Sequence, residues 1–217
     1  MGSISRLDAV NQMLLAAGES LVADLENSSG VDTELAEFIL NQAAQDYQIR
    51  GLASNKFIKK RTLSAVGEID LPDNVLSAEL VSNHIDTDSN VIIGVDRGKK
   101  LYNIVNDTFD WKASTEYSVE IIFELPWDDL STPTQRAILA TSMRQYQLIV
   151  QGDDITDRYL GEVEAIHKAR SKAADINDAR ASIFSSGSNV MRSALTRETG
   201  SVGNDPARFR FWRHRGL

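Results

Sequence analysis

The sequence predicts an α+β fold in which helices from both ends of the chain form a bundle around an inserted β-rich module. Three observations support this prediction. Apolar residues recur with the helical period near both ends, alternate with the strand period in between, and give way to a Gly- and Ser-containing stretch after residue 185. We therefore divide the chain into a helical pair (1–55), a β-rich module (56–126), a second helical pair (127–185) and an extended basic, aromatic tail (186–217).

The first helical pair has clear start and stop signals. Ser5 is a suitable capping residue for a helix over residues 5–17, and Gly18 ends it. A second helix is predicted from Asp32 or Thr33 to Gly51. The apolar residues at helical spacing are Leu7, Val10, Leu14 and Ala17 in the first helix, and Leu35, Phe38, Ile39, Ala43, Tyr47 and Ile49 in the second.

The middle of the chain predicts short strands. Residues 57–66 and 68–72 have strand character, while residues 75–83 fit either a strand or a brief helical turn. A hairpin is predicted from 91–95 and 99–105, with its turn at Asp96-Arg97-Gly98. The strongest strand is 116–125, in which Tyr117, Val119, Ile121 and Phe123 share one side.

Helical periodicity returns after residue 130. A helix over 131–150 is predicted to hold Pro133 in its first turn, where the missing N–H costs little. A final helix begins at Asp153 or Asp154 and reaches Phe184, and its apolar residues at helical spacing are Tyr159, Val163, Ile166, Ala169 and Ala173. The acid pairs Asp128-Asp129 and Asp153-Asp154 are predicted to cap helices. The predicted inward face of the first of these helices is Ile138, Leu139, Ser142, Tyr146 and Ile149.

The sequence lacks the patterns that carry common catalytic chemistry. The absence of cysteine excludes disulfides, thiol nucleophiles and thiolate metal sites. Residues 86–91 begin like a calcium-binding loop, but Val91 and Arg97 stand where that loop requires Gly and an acid. No phosphate-binding glycine loop or nucleophile elbow is present. We predict no enzyme activity, no metal and no cofactor, and the three histidines lie far apart at His84, His167 and His214.

Charge is distributed unevenly along the chain. The net charge is −8, yet residues 186–217 contain six arginines and two acids, so the preceding residues carry −12. A body that acidic repels nucleic acid, and only the tail would attract phosphate. No apolar run approaches the roughly 20 residues that span a bilayer, so we predict no membrane contact.

Collinear motifs make the chain resemble the tail tubular protein A family of short-tailed, podovirus-type bacteriophages. That family opens with a helix containing Ala-Val-Asn and ending in Gly-Glu, here Ala9-Val10-Asn11 and Gly18-Glu19. A second helix closes on Arg50-Gly51 before an aromatic strand at Phe57. The segments "IDLPDNVLSAEL", "DRGKKLYN" and "FELPWDDLSTPTQRAILATSMRQYQLIVQGDD" are similar to later parts of the family pattern, so that the resemblance runs from Leu7 to Asp175.

The resemblance implies a structural protein of the virion tail, assembled in the host cytoplasm. Members of that family form a ring, usually twelvefold, which joins the capsid portal to the tail nozzle, with tail fibres as a further candidate partner. DNA leaves the head through this ring without specific binding. An acidic channel wall suits that task, because each cation–phosphate contact adds drag. The rival interpretation is a nucleic-acid-binding module that uses the basic tail, and the acidic body argues against it.

The end of the chain, "ARFRFWRHRGL", lies outside the resemblance and alternates arginine with aromatic residues. Three interpretations stay open: a flexible terminus, a contact with single-stranded nucleic acid, and docking onto an acidic groove of the portal or a neighbouring subunit. The docking hypothesis assigns the partner interface to Arg208, Phe209, Arg210, Phe211, Trp212, Arg213 and Arg215. Trp111 and Trp127, near the ends of the β-rich module, fit either an interface or a core.

Overall fold

Four α-helices and a five-stranded antiparallel sheet form the described part of the chain, which in this computed structural model comprises residues 2–26, 30–81, 93–111 and 116–185, with side chains to residue 180. The α+β prediction is confirmed. Residues 1–176 form one unit; residues 177–217 form a second, described only as the end of the last helix. The elements are α1 (Arg6–Ala16), α2 (Val31–Gln48), β1 (Lys56–Thr62), β2 (Val75–Leu80), β3 (Gly94–Arg97), β4 (Lys100–Asn103), β5 (Glu116–Phe123), α3 (Thr132–Val150) and α4 (Asp154–Ser185).

Helices from both ends of the chain share one apolar core. It joins α1, α2 and α3, which are brought together although more than 80 residues separate α2 from α3. The predicted cap is confirmed, since the Ser5 hydroxyl accepts from the Asp8 N–H at 3.0 Å. The largest fully buried members are Met13, Leu14, Leu40, Ile138 and Tyr146.

The Ala-Val-Asn motif has a structural role. Ala9 and Val10 are fully buried in the helical core. Asn11 holds the loop after α1, because its side-chain amide donates to the Val22 carbonyl at 2.9 Å and its oxygen accepts from the Val22 N–H at 2.8 Å. Gly18 takes a φ of +72°, which ends the helix and lets the Glu19 N–H reach the Leu14 carbonyl. The motif therefore fixes how α1 leads into α2.

The sheet has the strand order β1-β5-β2-β3-β4, with every neighbouring pair antiparallel. The prediction for the strongest strand is confirmed, since Tyr117, Val119 and Ile121 of β5 are buried on one side. Trp111 is also core: it packs edge-on against Tyr117 with ring centroids 5.1 Å apart, and its indole N–H donates to the Leu101 carbonyl at 3.0 Å. Together these side chains give the sheet a core separate from that of the helices.

Two predictions in the β-rich module were wrong in detail. Residues 68–72 are not a strand. They run along the outer edge of β4, where the Leu101 N–H donates to the Ile69 carbonyl and the Leu71 N–H donates to the Lys99 carbonyl. Pro72 has no N–H and cannot extend this pairing. The hairpin turn lies at Gly98-Lys99, because both of its central residues need positive φ, here +59° and +66°. The ambiguous segment 75–83 contains a strand, β2, as far as it is described.

Two buried amides join the helical core to the sheet. Asn55 is fully buried, accepts from the Leu52 N–H at 2.7 Å, and donates to the Gln48 and Phe123 carbonyls at 3.2 and 2.9 Å. Gln48 in turn exchanges two hydrogen bonds with the backbone of Leu125. These bonds hold the chain at the points where it enters β1 and leaves β5. Nothing tests the division at residues 55, 126 and 185, which stays a prediction.

The start of the second helical segment follows the predicted chemistry with one difference. Pro133 lies in the first turn of α3, as expected. Ser131 occupies the N-cap position, whereas Asp128 and Asp129 lie in a short 3-10 helix before it, so the prediction that they cap α3 was wrong. Trp127, at the head of that turn, is buried and donates to the Ile4 carbonyl at 2.7 Å.

Candidate assembly surfaces

Polar contacts hold α4 against α3. Arg144 of α3 forms a bidentate ion pair with Asp157, with N–O distances of 2.6 and 3.1 Å, and donates a third hydrogen bond to Glu164 at 3.1 Å. Glu164, only 8% exposed, also accepts from Thr141 and pairs with Lys168. The inward side of α4 is therefore largely polar, which is unusual for the packed face of a helix.

The charges of this network stabilise one another. The hydrogen bond from Arg144 lowers the pKa of Asp157. Burial raises the pKa of Glu164, but hydrogen bonds from Lys168, Arg144 and Thr141 outweigh it, so that the pKa lies below its ordinary value. Hydrogen bonds to Asp157 and Glu164 raise the pKa of Arg144 further. The contact between α3 and α4 is thus strongest when both carboxylates are ionised.

Replacing Glu164 by glutamine is expected to lower the free energy of unfolding of the isolated chain by about 2 kcal/mol at pH 7, because Lys168 loses its ion-pair partner and Arg144 loses one of its two. A carboxylate whose pKa is lowered by folding contributes stability above its unfolded pKa, near 4.5, and loses it as the pH falls through the folded pKa. When urea unfolding is measured from pH 7 to 3, the free energy of unfolding should therefore fall less with decreasing pH in E164Q than in the wild type. E162Q, on the exposed side of α4, is the control, and equal slopes for wild type and E164Q would contradict this prediction.

The side of α4 that faces away from α3 carries most of the large apolar residues of this helix, whereas Leu160 is buried. Ile155 and Tyr159 are 80% and 67% exposed, and Ile166 and Ile176 are exposed as well. They belong to a longer set of exposed residues that we call the outer α4 stripe: Ile155, Tyr159, Glu162, Ile166, Ala169, Ala173 and Ile176. Successive members of this set are alternately four and three residues apart, which is the spacing of a helix face that packs along a partner helix.

A second exposed apolar surface lies between α2 and α3. Phe38 and Ile149 have the helical spacing of core residues, yet their side chains are 65% and 62% exposed. The prediction that Ile149 faces inward was therefore wrong. They border a shallow groove of about 320 Å³. We call it the α2–α3 groove, lined by Leu35, Phe38, Ile39, Gln42, Gln145, Leu148 and Ile149.

The outer edge of the sheet is a third exposed surface. All but one of the side chains of β1 are exposed, including Phe57 and Ile58. Lys59 lies over the rings of Phe57 and Phe123, at 5.7 and 5.2 Å from their centroids. Lys56 and Lys60 pair across the strands with acids of β5. This strand therefore combines apolar surface with cations at a sheet edge, a combination that suits a protein contact.

The residues predicted as sites are distributed as follows. The tail residues Arg208–Arg215 and the loop 86–91 lie outside the described residues, so the docking hypothesis stays a prediction. Trp111 and Trp127 belong to the cores. His167 is half-buried on α4, and burial, with Arg170 and Arg136 nearby, lowers its pKa. Asp153 caps α4 as predicted, accepting from the Thr156 N–H at 2.9 Å.

The sequence predicts four members of the outer α4 stripe, Tyr159, Ile166, Ala169 and Ala173, as apolar residues of the last helix, but not their exposure, because the apolar face of a helix is expected to be its buried one. The four-three spacing of this stripe from Ile155 to Ile176 was a signal that the sequence contained. In the ranges that the structure describes, no group of three or more His, Asp or Glu is placed to hold a metal ion. None of the helices in those ranges combines the length and apolar composition needed to cross a bilayer.

Comparison with known proteins identifies the family. A family model described as tail tubular protein matches residues 7–182, well over half of the chain. No curated protein matches it. Membership implies assembly with other components of a phage tail or portal, which accounts for a fold whose apolar surface is left exposed at two helical faces. The chain therefore belongs to the tail tubular protein family and is a structural protein of the bacteriophage virion tail.

Proposed function

We propose that the chain is a non-enzymatic adaptor of a short-tailed phage, which forms a closed ring between the capsid portal and the tail nozzle. The observation that carries this proposal is the family match over residues 7–182. The ring has twelve copies, as the resemblance implies, is assembled in the host cytoplasm and has no membrane partner. DNA leaves the head through it without specific binding, and tail fibres are a further candidate partner.

In this proposal the helical segments and the β-rich module have different roles. The helical segments, 1–55 and 127–185, form the body of the ring, and the outer α4 stripe and the α2–α3 groove supply apolar surface for its contacts. The β-rich module, 56–126, meets the next tail component through β1, whose exposed Phe57 and Ile58 support that role. The acidic body repels the DNA that passes through the channel.

The test is assembly on portal rings of the same phage. The purified chain is mixed with these rings and imaged, and purified phage particles are probed for the chain. We expect a second ring stacked on the portal and the chain present in the particles. A chain that does not bind portal, or is absent from particles, would overturn the proposal. A mass of one or two chains in the presence of portal, together with salt-sensitive DNA binding, would favour the nucleic-acid-binding module.

Deleting residues 204–217 tests the proposed role of the tail. If Arg208 to Arg215 dock onto the portal or a neighbouring copy, the truncated chain should fold normally but attach to portal at least about tenfold more weakly. Circular dichroism checks the fold and sedimentation with portal rings measures attachment. Attachment equal to that of the full chain would refute the docking hypothesis. DNA binding by both forms in low and high salt tests the nucleic-acid alternative separately.

A further inference from the structure

We propose that the outer α4 stripe of one copy packs into the α2–α3 groove of the next copy, and that this contact closes the ring. The inference rests on the proposed ring, because it names the two surfaces that would join its subunits. A ring of identical chains needs a head-to-tail contact, in which each chain presents two different, complementary surfaces. The described residues contain one such pair on the helices of the first unit.

The two surfaces match in kind and in length. The stripe from Ile155 to Ile176 runs along about 32 Å of helix at 1.5 Å per residue. Opposite it, Val31 and Phe38 of α2 and Ile49, the residue directly after α2, are all exposed and span about 27 Å beside the groove. A helix that lays an apolar face into a groove between two helices is a common mode of recognition.

The charges beside the two surfaces are opposite. Residues 31–48 of α2 contain no lysine or arginine and four acids, of which Asp32, Glu34 and Asp46 are exposed and Glu37 pairs with Arg6 of α1. Beside the outer α4 stripe, Arg158, Arg170 and Lys172 are exposed, and two exposed acids accompany them, Asp154 beside the stripe and Glu162 within it. No ion pair engages these three cations among the residues that the structure describes. The surroundings of the stripe therefore carry an excess of positive charge and those of the groove an excess of negative charge, which favours this pairing over an encounter of like faces.

The packing inside one chain also leaves the stripe to a partner. The inward side of α4 is committed to α3 through Arg144, Asp157 and Glu164, and through a hydrogen bond between the hydroxyls of Thr134 and Ser171 at 3.2 Å. These contacts fix the rotation of α4 about its axis. The apolar residues are therefore held outward, where a second copy reaches them.

The experiment uses disulfide cross-linking, for which a chain without cysteine is well suited. F38C and I166C are prepared as separate proteins, mixed, assembled on portal rings and oxidised. We expect cross-linked dimers in the mixture and few in either protein alone. The double variant F38C/I166C should give a ladder of oligomers under denaturing conditions. Cross-linking of I166C to itself would instead join two α4 helices and overturn the proposal.

A second measurement covers the case in which cysteines fail to react. I166D should reduce ring formation on portal about tenfold or more, because Ile166 lies in the outer α4 stripe. The control is I104D in the β-rich module, which should leave ring formation unchanged; Ile104 is 50% exposed, Ile166 is 51% exposed, and Ile104 lies in none of the proposed contact surfaces. If wild-type rings form but I166D assembles equally well, the inference fails while the proposed function stands. If the wild type forms no ring with portal, the proposed function fails.

A third measurement tests whether the chain's own tail covers the stripe. The thiol of the free I166C variant is labelled with and without residues 186–217. We expect the same labelling rate in both forms, because the proposal leaves the stripe open until a second copy arrives. A rate that rises when residues 186–217 are removed would assign the stripe to the tail and overturn the proposal.

Discussion

Replacing Trp111 by alanine is expected to lower the free energy of unfolding by about 4 kcal/mol. The side chain is 2% exposed and fills the centre of the sheet core. Its removal leaves a cavity beside Tyr117 and deprives the Leu101 carbonyl of the indole N–H that binds it at 3.0 Å. Urea unfolding followed by far-ultraviolet circular dichroism measures the loss. I104A, a truncation at a half-exposed position of the same module, is the control and should cost less than about 1 kcal/mol.

The close approach of Gly94 to Trp111 makes this prediction sharper. A Cβ atom at Gly94 would lie 2.7 Å from the indole Cη2 and 3.1 Å from a methyl group of Leu101, so G94A should itself cost about 1–3 kcal/mol. In a W111A background the clash with the indole is gone. The two substitutions should therefore cost less together than the sum of their separate costs. Strict additivity, or a W111A loss below about 1 kcal/mol, would contradict this account of the sheet core.

Local chemistry made the helix ends and the main strand predictable. Ser5 caps α1, Pro133 lies in the first turn of α3, and Asp153 caps α4, because each satisfies or avoids a free backbone N–H within its own turn. The alternation along β5 predicted its buried side for the same local reason. These features depend on residues a few positions apart, so that the sequence contains the information directly.

The orientation of the helices was less predictable, because periodicity locates an apolar face without saying what covers it. Phe38 and Ile149 have the spacing of core residues but are exposed in the single chain. On α4 the relation is reversed: the packed side carries Glu164 and its ion pairs, and the apolar side faces outward. A chain that folds to be assembled divides its apolar residues between its own core and its contacts with other chains.

The junction between the two cores could not be predicted from the sequence either, because its hydrogen bonds join residues that are far apart along the chain. Gln48 binds the backbone of Leu125, 77 positions away, and Asn55 binds Phe123, 68 positions away. A glutamine at the end of a helix and an asparagine before a strand are ordinary surface residues in a local view. Only the return of β5 beside the end of α2 makes them buried partners.

Asn55 is therefore the position at which we expect a second large loss, of about 3–4 kcal/mol in N55A. The substitution leaves the Leu52 N–H without its acceptor and removes the donor to the Gln48 and Phe123 carbonyls, all at a fully buried site. Burying polar groups without partners costs more than the hydrogen bonds themselves contribute. N106A, at an exposed asparagine, should change stability by less than about 0.5 kcal/mol.

The two cores give this prediction a second readout. Because Asn55 binds the backbone at the end of α2 and at the end of β5, its loss should weaken the helices and the sheet together. Far-ultraviolet circular dichroism reports mainly on the helices, and near-ultraviolet circular dichroism includes the packed pair of Trp111 and Tyr117. Both signals should shift to lower urea by the same amount in N55A. A shift in only one signal would mean that the cores unfold independently, and the amides would then support one core rather than joining the two.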